Sequence, residues 1–194
     1  MARVFDRALS WDEAALAAAW RAAEPFPHVV IDDFVAGVDL VELLEVEPVE
    51  QYQADIYIFD ATAPEPASAE LRELRAEWAA TLSPVLSRVT GVAVTRADMR
   101  AFAYRPGHYL LPHADHQDGL ARELAFAYYL PTPEPPRGGE LELFRVTPDA
   151  TESARVIAPL PHRLVVFDVS DVSLHQVREV LGGLRLSLAG WFYP

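Results

Sequence analysis

The chain has 194 residues, half of them apolar and a tenth aromatic, which suits one domain with a full core and argues against global disorder. Its formal net charge of −13 argues against binding nucleic acid phosphates through the overall field, and no apolar run reaches membrane-spanning length. Without cysteine, disulfides, thiolate metal sites and a cysteine nucleophile are excluded. We therefore expect a soluble cytoplasmic protein without nucleic acid or membrane partners.

The first half of the sequence predicts helices mixed with short strands. Ser10 and Glu13 form a capping-box pattern before an Ala-rich helix that extends to about Ala23. A strand, a short helix and a second strand are expected to follow, at Phe26–Phe34, Leu40–Val46 and Tyr52–Phe59. A second long helix begins at Ser68, and Ser83-Pro84 is expected to interrupt it.

From Val92 onward the pattern changes to short strands separated by Gly, Pro and Asp turns. Eight strands are predicted, at Met99–Tyr104, Tyr109–His113, Glu123–Leu130, Glu140–Val146, Ala154–Ala158, His162–Val169, Ser173–Val180 and Leu184–Tyr193. This spacing is typical of a sandwich or jelly roll, and helices followed by strands give an α+β fold. We expect a single domain over residues 1–194, with a helical support region and edge strands over 1–91 and a jelly-roll core over 92–194.

The motif His113-Ala114-Asp115 is the main chemical signal in the chain. On a strand, residues i and i+2 point to the same face, so His113 and Asp115 can converge on one metal ion. His175 lies in a later predicted strand, which can face the first across the mouth of a barrel. Two imidazoles and one carboxylate form the facial triad that holds Fe(II) and leaves coordination positions open.

Purely structural roles for the same residues stay open at this point. With six histidines in the chain, an H-x-D motif arises by chance, and Asp115 could simply start a turn beside a wall residue, His113. His116 could compete as a ligand, although its side chain should point to the opposite face. Arg185 and Ser187 share a strand face. If Arg185 is buried, it can bind a carboxylate with help from the Ser187 hydroxyl. A surface arginine beside a serine would give the same sequence pattern.

Eight segments of the second half carry a specific pattern through their order and spacing: Tyr104-Arg105-Pro106-Gly107, residues 109–115, 126–130, 138–144 and 163–167, His175-Gln176-Val177, Arg185-Leu186-Ser187 and Trp191-Phe192-Tyr193. Together they resemble the Fe(II)/2-oxoglutarate-dependent dioxygenases, and within these the prolyl 4-hydroxylase-like branch. The resemblance covers roughly residues 95–194. It implies a double-stranded β-helix (jelly roll) with supporting N-terminal helices, and hydroxylation of an unactivated C–H with release of succinate and CO2.

The resemblance also implies roles for individual residues. The implied iron ligands are His113, Asp115 and His175. Arg185 would bind the distal carboxylate of 2-oxoglutarate. Three residues match positions beside the cosubstrate: Ser187 and Tyr129 near that carboxylate, and Tyr104 near the iron and the keto-acid end. Two match positions at the substrate mouth: Arg122 and Trp191. The implied cofactors and cosubstrates are Fe(II), 2-oxoglutarate and O2, with ascorbate as a further candidate.

The sequence does not identify the substrate. The expected partner is a small molecule, an amino acid or a peptide or protein, and the branch resembled favours a prolyl residue or free proline; the acidic net charge fits a neutral or basic acceptor. Two alternatives remain. One is a cupin-like metalloenzyme that does not use 2-oxoglutarate and has no need of Arg185. The other is a non-catalytic binding or sensor module on the same fold. The oligomeric state is left open.

Overall fold

A computed structural model describes residues 5, 8, 10–35, 40–44 and 47–194. Its helices are α1 (Glu13–Ala22), α2 (Val41–Leu44) and α3 (Ala69–Thr90). Its strands are β1 (His28–Ile31), β2 (Val49–Ala54), β3 (Tyr57–Thr62), β4 (Arg96–Ala97), β5 (Arg100–Tyr104), β6 (Tyr109–His113), β7 (Leu124–Tyr129), β8 (Arg137–Gly138), β9 (Leu141–Val146), β10 (Thr151–Ile157), β11 (Leu164–Asp168), β12 (His175–Val177), β13 (Val180–Gly182) and β14 (Arg185–Tyr193). None of the described helices is long and apolar enough to cross a membrane.

Most of the strands join one antiparallel sheet that curls into a half-barrel. The order across this sheet is β1-β11-β7-β14-β5-β3-β6-β12-β9-β10, with β2 paired to β3 and β4 paired to β14. Strands β8 and β13 form a separate two-stranded ribbon. The curled sheet with its helices is the double-stranded β-helix that the sequence predicts, so the expected fold class is confirmed.

Strand β7 is buried along its whole length because both faces of the sheet are covered there. Alternate side chains pack with the helices: Leu124, Phe126 and Tyr128. The others point into the half-barrel: Ala125, Ala127 and Tyr129. Trp78 of α3 is fully buried, with its ring centroid 4.7 Å from that of Phe126. The helices therefore fix the outer face of the sheet and leave the inner face for chemistry.

The long helix α3 begins where the sequence predicts. The Ser68 hydroxyl accepts the Leu71 N–H at 3.2 Å, and Gly91 ends the helix in the left-handed region at φ 78°. The predicted interruption at Ser83-Pro84 is wrong, because the helix continues through the proline. Pro84 removes one backbone hydrogen bond, and buried neighbours on both sides, Leu82 and Val85, hold the two turns against the core.

Two other elements differ from their predicted form. The N-cap of α1 is Asp12, whose side chain accepts the Ala15 N–H at 3.0 Å, so the capping box at Ser10 is wrong. A carboxylate accepts this hydrogen bond as well as a hydroxyl does. The helix expected at Leu40–Val46 is the shorter α2, and residues 45 and 46 lie outside the described part of the chain.

The two strands expected at Tyr52–Phe59 and Ser173–Val180 are each divided. The first is a hairpin, in which β2 and β3 are joined by the two residues Asp55 and Ile56, because Asp is a strong turn former. The second is β12 and β13, because the chain leaves the large sheet after Val177 to pair with β8. Because of these divisions, the structure has more strands than the sequence pattern indicates.

A buried carboxylate joins the strands on one side of the half-barrel. Glu142 of β9 accepts hydrogen bonds from Arg178 Nε and Gln176 Nε2, each at 2.6 Å, and from the Ser153 hydroxyl of β10. These contacts, chiefly the hydrogen bond from Arg178, hold the pKa of Glu142 down at about 2. The network ties β9 to β10 and to β12, which carries His175.

Replacing Trp78 with alanine is expected to reduce the free energy of unfolding by about 4 kcal/mol, because the change leaves a cavity between α3 and the sheet. Urea denaturation followed by circular dichroism measures the loss. Leu181→Ala, at a side chain that is 64% exposed, is the control and should stay within about 0.5 kcal/mol of wild type. An equal loss in both variants would contradict the packing described for α3.

Glu142→Gln is expected to cost about 2 kcal/mol of folding stability at neutral pH, because Arg178 loses its partner. The pKa of Glu142 is lowered by folding, so its contribution is fully present above the ordinary value of 4.5 and is lost as pH falls toward about 2. Chemical denaturation across this range should show the gap to wild type closing in acid. The exposed neighbour Glu152, changed to Gln, should show no comparable gap.

Candidate functional site

The three predicted metal ligands come together at the junction of two neighbouring strands. His113 ends β6, His175 begins β12, and the two residues are register partners in adjacent antiparallel strands. Asp115 follows two residues after the end of β6. The expectation that His175 faces His113 across a barrel mouth is therefore wrong in detail, because their strands are hydrogen-bonded neighbours.

The side chains of these residues form a compact cluster. Their ligand atoms all lie within 4.8 Å of one another. Asp115 lies between the two rings, with Oδ1 3.7 Å from His113 Nε2 and Oδ2 3.6 Å from His175 Nε2. No other group of three His, Asp or Glu side chains in the described ranges has this arrangement.

Both imidazoles are oriented by backbone carbonyls. His113 Nδ1 lies 2.9 Å from the Leu111 oxygen, and His175 Nδ1 lies 2.9 Å from the Ser173 oxygen. Because a carbonyl only accepts, each Nδ1 carries a proton, and in the neutral tautomer the Nε2 lone pair points toward Asp115. Burial lowers the pKa of His175 to about 4, which keeps this imidazole neutral at pH 7.

The cluster fits a divalent transition metal. Two imidazole nitrogens and one carboxylate are the donor set of the facial triad for non-haem Fe(II). An ion about 2.1 Å from each donor needs donors about 3 Å apart, so small side-chain adjustments from the observed spacing are sufficient. His116, the competing candidate, is turned away: its Nε2 lies 3.5 Å from Asp171 Oδ1, outside the cluster.

The loop that carries Asp115 is anchored by Arg122. Its Nη1 donates to the Asp115 carbonyl at 3.1 Å, and its guanidinium carbon lies 3.6 Å from the centroid of the Trp191 ring. Both residues predicted for the substrate mouth, Arg122 and Trp191, thus stack on each other and line the same cavity as the cluster. Arg122 also has a positional role, because it ties the Asp115 loop to β14.

Arg185 lies on the inner face of β14 and is 3% exposed. Its Nη1 donates to the Ser187 hydroxyl at 3.4 Å and its Nη2 to the Tyr129 hydroxyl at 3.5 Å. The guanidinium carbon also lies 4.8 Å from the ring centroid of Tyr104 and 4.9 Å from that of Tyr129. The structure therefore brings together the four residues predicted for the cosubstrate.

The charge of Arg185 has no counter-ion in the described part of the chain. Its hydrogen bonds go to neutral hydroxyl groups, and its buried Nε has no partner. A buried guanidinium without an anion is costly, so a ligand with a negative group would complete the site. A carboxylate fits the planar fork of the guanidinium.

A cavity of about 530 Å³ connects the metal cluster with Arg185. Ser187 and Tyr104 line it, whereas Tyr129 contacts Arg185 from outside the lining. Burial raises the pKa of Tyr104 to about 12, so its phenol stays protonated and can donate a hydrogen bond. The cavity lining combines polar groups for a metal and an anion with several aromatic side chains.

Sequence reasoning missed part of the cavity wall. The additional lining residues include Tyr52, Tyr57, Phe59, Arg100 and Phe102. Two of these, Arg100 and Phe102, alternate with residue 101 on the same strand as Tyr104, so the period of two could have placed them on the cavity face. The tyrosines of the β2–β3 hairpin could not be placed while that segment was interpreted as one strand.

Comparison with known sequences identifies relatives of this chain. A family model described as the 2OG-Fe(II) oxygenase superfamily matches residues 99–193. Prolyl 3-hydroxylase OGFOD1 of Mus musculus is 35% identical over 186 residues, a match covering 88% of this chain and 33% of that protein. The chain thus spans about one third of the length of the curated relatives it matches.

Two solved structures show the same fold. A Pseudomonas putida prolyl-4-hydroxylase superposes with a TM-score of 0.68 at 23% identity, over 92% of this chain and 98% of that one. A prolyl hydroxylase in complex with a hypoxia inducible factor oxygen degradation domain peptide fragment from Trichoplax adhaerens gives 0.71 at 17% identity, over 97% and 95%.

Proposed function

Because the chain belongs to the 2OG-Fe(II) oxygenase superfamily, we propose that it hydroxylates a prolyl residue of a peptide or protein, with release of succinate and CO2. This superfamily uses Fe(II), 2-oxoglutarate and O2. One observation carries the proposal: a cluster of two imidazoles and a carboxylate shares a cavity with a buried guanidinium that has no counter-ion.

In this proposal the metal ligands are His113, Asp115 and His175. Fe(II) held there would supply the activation of O2 that the family couples to decarboxylation of 2-oxoglutarate. The Leu111 and Ser173 carbonyls fix the orientation of the two rings, and burial keeps the His175 imidazole neutral. A metal held by only three protein ligands would stay accessible to the cosubstrate and O2.

Arg185 is proposed to bind the distal carboxylate of 2-oxoglutarate. The Ser187 and Tyr129 hydroxyls, already within hydrogen-bond reach of its guanidinium, would hold the fork in position. Tyr104, protonated at neutral pH, would donate toward the bound cosubstrate from beside Arg185. The carboxylate thereby gives the buried cation the partner that the described residues do not supply.

A prolyl acceptor is supported by the remaining cavity wall and by the relatives. The wall beyond the metal cluster is aromatic and includes the Arg122–Trp191 stack, which suits an apolar ring presented by an extended chain. The relatives compared above are prolyl hydroxylases, and one of them is in complex with a peptide fragment. A peptide or protein is therefore the preferred acceptor over free proline.

The two alternatives explain less of the site. A cupin-like metalloenzyme that does not use 2-oxoglutarate leaves Arg185 buried without a function, and a non-catalytic module leaves both the metal cluster and Arg185 without one. Succinate formation separates the proposed function from both alternatives. With Fe(II), O2, ascorbate and 2-oxoglutarate, we expect slow succinate release that prolyl peptides accelerate. No succinate under any of these conditions would refute the proposed function.

Asp115→Asn is expected to weaken metal binding by at least about 100-fold, because it removes the only charged donor of the proposed site. Calorimetric titration with Mn(II) measures the affinity without turnover. Asp118→Asn removes the same charge from an exposed side chain three residues later and is expected to bind Mn(II) as wild type does. Equal affinities in the two variants would exclude Asp115 as a ligand.

Arg185→Gln is expected to raise the KM for 2-oxoglutarate by at least about 30-fold, because the cosubstrate loses a buried charged partner. Arg185→Lys keeps the charge without the planar fork and should give an intermediate value. Initial rates of succinate formation at varied 2-oxoglutarate provide the measurement. Arg145→Gln, at a half-exposed arginine outside the cavity, is the matched control and should leave this KM unchanged.

A further inference from the structure

Arg100 lies in the wall of the same cavity, apart from the metal cluster and the Arg185 site. Its Nε donates to the Thr62 carbonyl at 2.7 Å. Its guanidinium carbon lies 4.9 Å from the ring centroid of Tyr52 and 5.4 Å from that of Phe102. One hydrogen bond and two aromatic rings therefore hold this cation in a defined orientation.

The outer edge of this guanidinium has no recorded hydrogen-bond partner among the described residues. Its Nη2 is buried without a hydrogen bond, and no described carboxylate forms an ion pair with Arg100. Asp60 of the neighbouring strand β3 is paired instead with Arg105, at 2.9 Å. Because Nη2 lacks a partner among the described residues, this ordered guanidinium can take a carboxylate as a further partner.

We propose that Arg100 recognises a carboxylate of the substrate, and that this carboxylate is an acidic side chain a few residues from the hydroxylated prolyl residue. The inference rests on the proposed function, since it assigns the acceptor of the same cavity. Arg100 is then a specificity-determining residue that selects among prolyl peptides.

The position of Arg100 along β5 favours the side-chain carboxylate of a peptide over the carboxylate of free proline. Tyr104, at the Arg185 end of the cavity, lies four residues beyond Arg100 on β5, a distance of about 13 Å along a strand. In free proline every ring carbon lies within about 4 Å of the carboxylate carbon, given bonds of about 1.5 Å. An extended peptide advances about 3.5 Å per residue, so an acidic residue about three positions away, with the length of its own side chain, spans the gap.

The charge inside the cavity differs from that of the whole chain. The charged residues of the lining are three arginines and one aspartate: Arg100, Arg122, Arg185 and Asp115. The chain as a whole carries −13. A peptide that is neutral or basic overall is not repelled by the acidic protein, and one acidic residue near its proline can pair with an arginine of the cavity.

A glutamate scan tests the inference. The peptides are short, with one central proline in an Ala/Gly/Lys background. Each peptide carries one Glu at a single position, from three residues before to three residues after the proline, and has a matched peptide with Gln at that position. Calorimetry with the Mn(II)- and 2-oxoglutarate-loaded protein under anaerobic conditions measures binding without turnover. We expect Glu at the favoured position to lower Kd by about 10- to 100-fold relative to Gln, as one charge-assisted contact does.

The preference must depend on Arg100. In Arg100→Gln the Glu/Gln ratio of Kd should fall to about one, and in Arg100→Lys it should be partly retained, because the charge remains without the fork. Arg145→Gln, the same charge change outside the cavity, should keep the wild-type ratio. Thermal unfolding of each variant verifies that it is folded, since Arg100→Gln also removes the bond to Thr62.

The outcomes separate this inference from the proposed function. A ratio near one at every position in wild type, or a preference that survives in Arg100→Gln, would overturn the role of Arg100. Free proline that binds in an Arg100-dependent manner, with no Glu effect in peptides, would overturn the assignment to an acidic side chain. Succinate release from wild type decides the proposed function independently of all these binding results.

Discussion

The candidate site depends on the register between β6 and β12. This register makes His113 and His175 direct cross-strand partners, and both rings then point to the face that Asp115 reaches from the following loop. A slip of one residue would send one imidazole to the opposite face of the sheet, and the cluster would be lost. On the far side of β12, Glu142 binds Arg178 and Gln176, so buried hydrogen bonds that are not part of the cluster also secure the strand.

The inner face of the half-barrel can carry buried charge because the outer face supplies the hydrophobic stabilisation. Trp78 and its neighbours cover the helix side of β7, and the alternate side chains of the same strand open onto the interior. On that interior face, Arg185 is held by hydroxyl groups and by two tyrosine rings, contacts that orient its charge without neutralising it. The fold thus holds the Arg185 guanidinium without a counter-ion among the described residues, and an anionic ligand can supply one. This is the physical basis of the proposed cosubstrate site.

Local patterns predicted the parts of the site that lie within one segment. The period of two placed Arg185 and Ser187 on one strand face, and resemblance to the superfamily linked them to His113, Asp115 and His175. The adjacency of β6 and β12 could not be derived from the sequence. It depends on pairing between two segments that are far apart in the chain, since His113 and His175 are separated by 62 positions. Helix α3 passes Pro84 because tertiary packing outweighs the cost of one lost hydrogen bond, and no local pattern reports that balance.

Net charge and cavity charge act over different distances, and this explains how an acidic protein can present a cationic pocket. At physiological ionic strength the Debye length is about 8 Å, so exposed carboxylates scattered over the surface are screened from a group inside the cavity. Arg100 and Arg185 lie within that cavity, where screening by salt is weaker and nearby groups dominate. The overall charge therefore governs how an acceptor approaches, whereas the arginines of the lining govern which acceptor stays bound, and the two can favour opposite signs.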